Sequence, residues 1–127
     1  MNYNNYLMKG NDTLTFEKAC ELMQMIQEEL DVRDEIAKDI YRELVEACIE
    51  YANTRSKWLL LSKEQKMDTD KSRTLKHDSA IVKFNMLARY FRKEGKKALW
   101  RDELGESRKT IGDFACYIAL FYGLNAR

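Results

Sequence analysis

Proline is absent from all 127 residues and glycine occurs only five times. A chain with so few breakers lacks the tight turns that a sheet of many short strands needs. Its apolar residues instead recur every three or four positions, the spacing that lays one stripe along a helix. The chain is therefore expected to be all-α: residues 1–127 as a single-domain bundle of four to five helices with one long central helix. Apolar residues make up 45% of it and charged residues 34%, a globular rather than a disordered balance. At this length a core can be buried without disulfide or metal staples.

The pattern places the helices. Residues 1–12, rich in Asn and Tyr and without periodicity, read as a flexible arm. A first helix is expected over about 15–30, capped by Thr15, with Glu17 at the positive end of its dipole. Phe16, Ala19, Met23, Ile26 and Leu30 would form its buried stripe. The second, over about 34–62, carries Ile36, Ile40, Leu44, Ala47, Tyr51 and Trp58 and has no breaker. At 1.5 Å per residue it would run roughly 40 Å and form the spine. The polar segment 62–73 reads as a surface loop. A third helix then starts at Thr74 as N-cap, with Ala80, Ile81, Phe84, Leu87, Ala88 and Phe91 inward, and stops at Gly95. A short helix over 98–104 leads to Gly105, and a last one runs over about 108–122 behind Ser107.

The start of the chain has no basic segment followed by an apolar run, so no secretory leader is expected. The longest nearly uncharged stretch, 114–126, is too short to span a bilayer, and no membrane association is expected. Cys20, Cys48 and Cys116 all lie in apolar helical patterns and read as reduced, buried thiols of a cytoplasmic protein. With one histidine and no CxxC pair, neither a metal site nor a cofactor is expected.

The net charge of +1 conceals a split. Residues 12–50 hold twelve acids against four bases, a net of −8; residues 51–127 hold seventeen bases against nine acids, a net of +8. Acidic helices can pack beside basic ones within the monomer, or the acidic half of one copy can face the basic half of another. Alternatively, the basic half forms an electropositive surface for a polyanion. The bases are densest at Arg89, Arg92, Lys93, Lys96, Lys97, Arg101, Arg108 and Lys109, the candidate contacts for a nucleic acid or another partner.

Residues 98–121 have the outline of a helix-turn-helix, with Gly105 at the turn and Ser107, Arg108, Lys109 and Thr110 opening the second helix. Three features depart from that motif. Arg101 stands where the first helix needs a small residue, and Glu106 stands where an apolar residue is preferred. From Ile111 onward the second helix is apolar on most faces, as a core helix would be.

Catalytic motifs are missing: there is no glycine-rich phosphate loop, HExxH or GxSxG. His77, the only imidazole, reads as a surface residue in the first turn of the third helix, where the dipole would favour its neutral ring. Ser79 lies too near it in sequence to serve as its nucleophile, and Cys116 is expected to face the core. His77, Arg101, Asp102, Arg108 and Asp113 are instead read as a structural polar cluster bracing the tail. Asp113, in a helix otherwise short of polar groups, would take its partner from Arg101, Arg108 or His77.

The stretch RTLKHDSAIVKFNMLARY, with the WRDELGESRKTIGDFACY that follows it, resembles small helical proteins of Gram-positive bacteria and their mobile elements. The likeness covers about the last 55 residues. It carries no catalytic signature, and no residue role is taken from it. The expected function is a non-enzymatic protein-interaction or regulatory module acting as a homo-oligomer. Trp58, Phe114, Tyr117, Phe121 and Tyr122 offer more apolar surface than a small monomer readily hides. The alternative is a nucleic-acid-binding protein using the basic cluster at 89–109 in a degenerate helix-turn-helix.

Overall fold

The computed structural model describes residues 14–123, which form five helices and, among the described residues, no strand. These are α1 (Phe16–Glu29), α2 (Glu35–Leu59), α3 (Lys63–Lys93), α4 (Leu99–Leu104) and α5 (Arg108–Gly123). The arm expected over 1–12 lies outside the described residues.

Thr15 caps α1 in an extended conformation, its side chain accepting the Lys18 N–H. The helix buries Ala19, Leu22 and Ile26. Phe16, expected inside, is exposed and lays its ring edge on Tyr117 and Phe121 of α5. Asp34 caps α2 by accepting from Ile36 and Ala37. The buried face of α2 runs Ala37, Tyr41, Leu44, Ala47, Cys48, Tyr51 and Arg55, turned from the expected stripe so that Ile36 points to solvent. The hydroxyls of Tyr41 and Tyr51 both reach α5. That of Tyr41 bonds Tyr122 and accepts from Gln27.

The segment 62–73 is helix rather than loop. Ser62 forms a capping box with Gln65: its hydroxyl accepts the Gln65 N–H, and the Gln65 side chain accepts the Ser62 N–H. Two otherwise unsatisfied donors are thereby met at once. Helix α3 thus has 31 residues, about 46 Å at 1.5 Å per residue, and is longer than the 25-residue α2. Thr74 is a mid-helix residue, not a cap. Gly95 and Gly105 end α3 and α4 with φ of +88° and +78°, the left-handed region glycine enters without strain.

Ser107 accepts the Thr110 N–H and starts α5. From Ile111 to Ala119 nine consecutive residues of α5 are buried, so neighbours surround it. Helix α2 lies between α3 and α5 and packs extensively on both; a long helix does occupy the centre. Cys48 and Cys116 are buried free thiols, but Cys20 is only half-buried because it lies beside the Ala19 stripe rather than on it. No described helix is long and apolar enough to cross a membrane.

The charge split is bridged within the chain. Lys18 pairs with Glu103 at 2.6 Å, Lys76 with Glu50 at 3.1 Å and Lys83 with Glu43 at 3.6 Å. Glu29 of α1 accepts from the Ala98 backbone and the Trp100 indole. Acidic helices therefore do pack beside basic ones.

Candidate functional site

Helical spacing on three elements builds one polar cavity. Tyr51 and Arg55 lie four residues apart on α2, as do Arg73 and His77 on α3, and so share a face on each helix. Arg108 and Lys109 open α5. Together with Thr74 these residues line a cavity of about 230 Å³. Gly112 lets α5 approach: a Cβ there would stand 2.9 Å from the Tyr51 hydroxyl and 3.2 Å from His77 Nε2.

Beneath the cavity, Arg55 Nη2 donates to Asp113 Oδ1 at 3.0 Å, and Arg55 Nη1 to Cys116 Sγ at 3.5 Å. Arg55 is 2% exposed and Asp113 0%. Burial pushes the Asp113 carboxyl above its ordinary range, opposed by the guanidinium of Arg55. His77, 7% exposed, places Nε2 at 2.7 Å from the Arg108 carbonyl. A carbonyl only accepts, so Nε2 carries the hydrogen and, in the neutral ring, Nδ1 the lone pair. Nδ1 is buried and has no hydrogen-bond partner. Burial lowers the pKa of His77, against the raising effect of the carbonyl bond. The helix dipole has no part in this, because His77 lies about four turns into α3.

The expected polar cluster divides into four. Asp113 is held by Arg55, which stands nearer because it occupies the buried register of α2; neither Arg101, Arg108 nor His77 is its ion-pair partner. Arg101 is buried under the turn, donating to Asn85 Oδ1 at 2.7 Å, the Gly105 carbonyl at 2.9 Å and Glu106. Asp102 pairs with Arg92 at 3.0 Å. Only His77 and Arg108 meet, through the Arg108 backbone, while the Arg108 guanidinium pairs with Asp78 at 2.9 Å.

The basic cluster is partly absorbed in the same way. Arg92 also bonds the carbonyls of Lys97 and Ala98, and Lys96 sits over the Phe91 ring. Arg89, Lys93 and Lys97 remain exposed. Because α5 is buried from Ile111 to Ala119, its accessible residues among those expected to open a recognition helix are Arg108, Lys109 and Thr110 at its start.

Tyr51, Arg55, Arg73 and Thr74 are the cavity residues that sequence reasoning missed. One signal was present: Arg55 follows Tyr51 by four residues in the register of a buried stripe, where an unpaired charge is not tolerated. No protein-family model, no curated protein and no solved structure matches this chain.

Proposed function

We propose that this protein is a non-enzymatic interaction module that works as a homodimer, paired antiparallel through the outer face of α3. One observation carries the reading. Glu64, Asp68, Leu75, Val82, Arg89 and Lys93 lie within one stripe at helical spacing, all exposed and opposite the core residues Ala80, Phe84, Leu87 and Phe91. Leu75 and Val82 are 60% and 52% exposed. Glu64 and Asp68 open the stripe, Lys71 follows them, Leu75 and Val82 hold its middle and bases its end.

A two-fold axis between positions 78 and 79 sets Leu75 against Val82 of a second copy. The same axis brings Asp68 opposite Arg89 and Glu64 opposite Lys93. Such self-complementarity is what an isologous interface requires. The non-enzymatic part of the reading rests on the only imidazole being tied by Nε2 to a backbone carbonyl and on Cys116 lying against Arg55 rather than a base.

Light scattering after size exclusion tests the pairing. The native chain is expected to run as a dimer, and Val82→Glu as a monomer of unchanged helicity. Asp68→Arg is expected to weaken the dimer, and adding Arg89→Asp to restore it; a native monomer at all concentrations would refute the reading. The alternative, nucleic-acid contact through exposed Arg89, Lys93 and Lys97, predicts duplex binding that falls steeply with salt.

A further inference from the structure

We infer that the cavity between α2, α3 and the start of α5 is a binding site for a small tetrahedral oxyanion. The group it suits is phosphoryl, carried by free phosphate or a phosphate monoester. Four cationic residues line it, Arg55, Arg73, Arg108 and Lys109, and so do two residues that carry hydroxyls, Tyr51 and Thr74. Among the described residues no carboxylate lines it. The acids paired with three of these cations stand off the cavity: Asp113 beneath Arg55, Asp70 beside Arg73 and Asp78 outside Arg108. Arg73 is further held by stacking on Trp58, 4.3 Å from the ring centre. The positive end of the α5 dipole points to the same place.

His77 is the second, independent observation. It is more than nine-tenths buried and lines the cavity, and its Nδ1 has no partner. An acceptor among cations suits a ligand that is anionic and still carries a proton. A phosphoryl group keeps such a proton below its second ionisation, near pH 6, and a fraction of it is still protonated at neutral pH. Its P–OH can donate to Nδ1 while its remaining oxygens accept from the cations. An ionised carboxylate has no such proton and offers only two oxygens in one plane, whereas the donors converge from three helices. The volume, below the roughly 300–1,000 Å³ of pockets for drug-sized ligands, sets the size of the group.

His77 is also the reporter, because it is the only histidine in the chain. The groups facing it are Tyr51 and Arg55 from α2, Arg73 and Asp78 from α3, and Arg108 and Lys109 from α5. The experiment follows its imidazole by NMR in the full chain at constant ionic strength, in sodium chloride, acetate, phosphate or methyl phosphate. Phosphate is expected to shift the resonance saturably and to raise its titration midpoint. Arg108→Gln with Lys109→Gln, neither residue being buried, is expected to keep the fold and weaken binding by roughly tenfold or more. Thr74→Ala provides a second folded variant with a smaller loss. A response to phosphate alone assigns a free-ion site, and a response to methyl phosphate as well assigns a monoester site. The inference is overturned if phosphate acts no differently from chloride, if acetate matches it, or if the double variant binds as tightly as the native chain.

Discussion

A carboxylate at position 113, with no exposure at all, can be tolerated in a helix core only with a cation against it. Arg55 supplies that cation, and each residue is the reason the other can be buried. Asp113→Asn leaves the guanidinium without its counter-charge and is expected to cost about 3–5 kcal/mol, measured by urea unfolding. The double change Arg55→Met with Asp113→Leu is expected to recover most of that loss, because it removes both desolvation penalties together. A double variant as unstable as the single one would show that the pair does more than neutralise itself. Asp113 was legible in the sequence as a polar residue needing a partner, but the partner was not. Arg101 and Arg108 are near it along the chain, whereas Arg55 is 58 residues away and is brought there only by the packing of α2 on α5.

Most helices are legible as elements because apolar periodicity and caps agree, as at Thr15, Gly95, Gly105 and Ser107. The first third of α3 is different: KEQKMDTDKSR is polar on every face, so no stripe marks it. Its local support is the capping box at Ser62, the Arg73–Asp70 pair and the stacking of Lys66 and Arg73 on Trp58. The spacing Ser62-x-x-Gln65 was the available signal. Since few buried contacts hold this turn, the cap carries an unusual share of its stability. Ser62→Ala is expected to cost about 1 kcal/mol and to speed amide exchange locally at the start of α3, leaving α5 protected. Uniform acceleration along the chain would instead tie the cap to global unfolding.

For the molecule as a whole, acid acts through groups whose burial opposes their charge. His77 has a lowered pKa because burial disfavours the imidazolium. The unfolded chain therefore takes up the proton first, and stability falls as pH drops below the ordinary value of 6.5. Asp113, raised above 3.8, works in the opposite sense: the folded chain binds its proton first, which offsets part of the loss at lower pH. Asp34 is lowered by its bond from Tyr90, and its contribution is lost as pH falls through its depressed folded value. Thermal melting in a phosphate-free buffer is expected to show the decline below 6.5 in the native chain, and His77→Gln to abolish that step. The buried run of α5 has a consequence for how the protein is made. Synthesis proceeds from the N-terminus, so α5, which packs on α1, α2 and α3, emerges after the other four helices. Until it arrives, α2 and α3 can pair only as an open hairpin, with Leu44, Phe84 and Arg55 waiting for Phe114 and Asp113. The nascent chain therefore keeps these faces open until α5 has emerged, and only then can this core close.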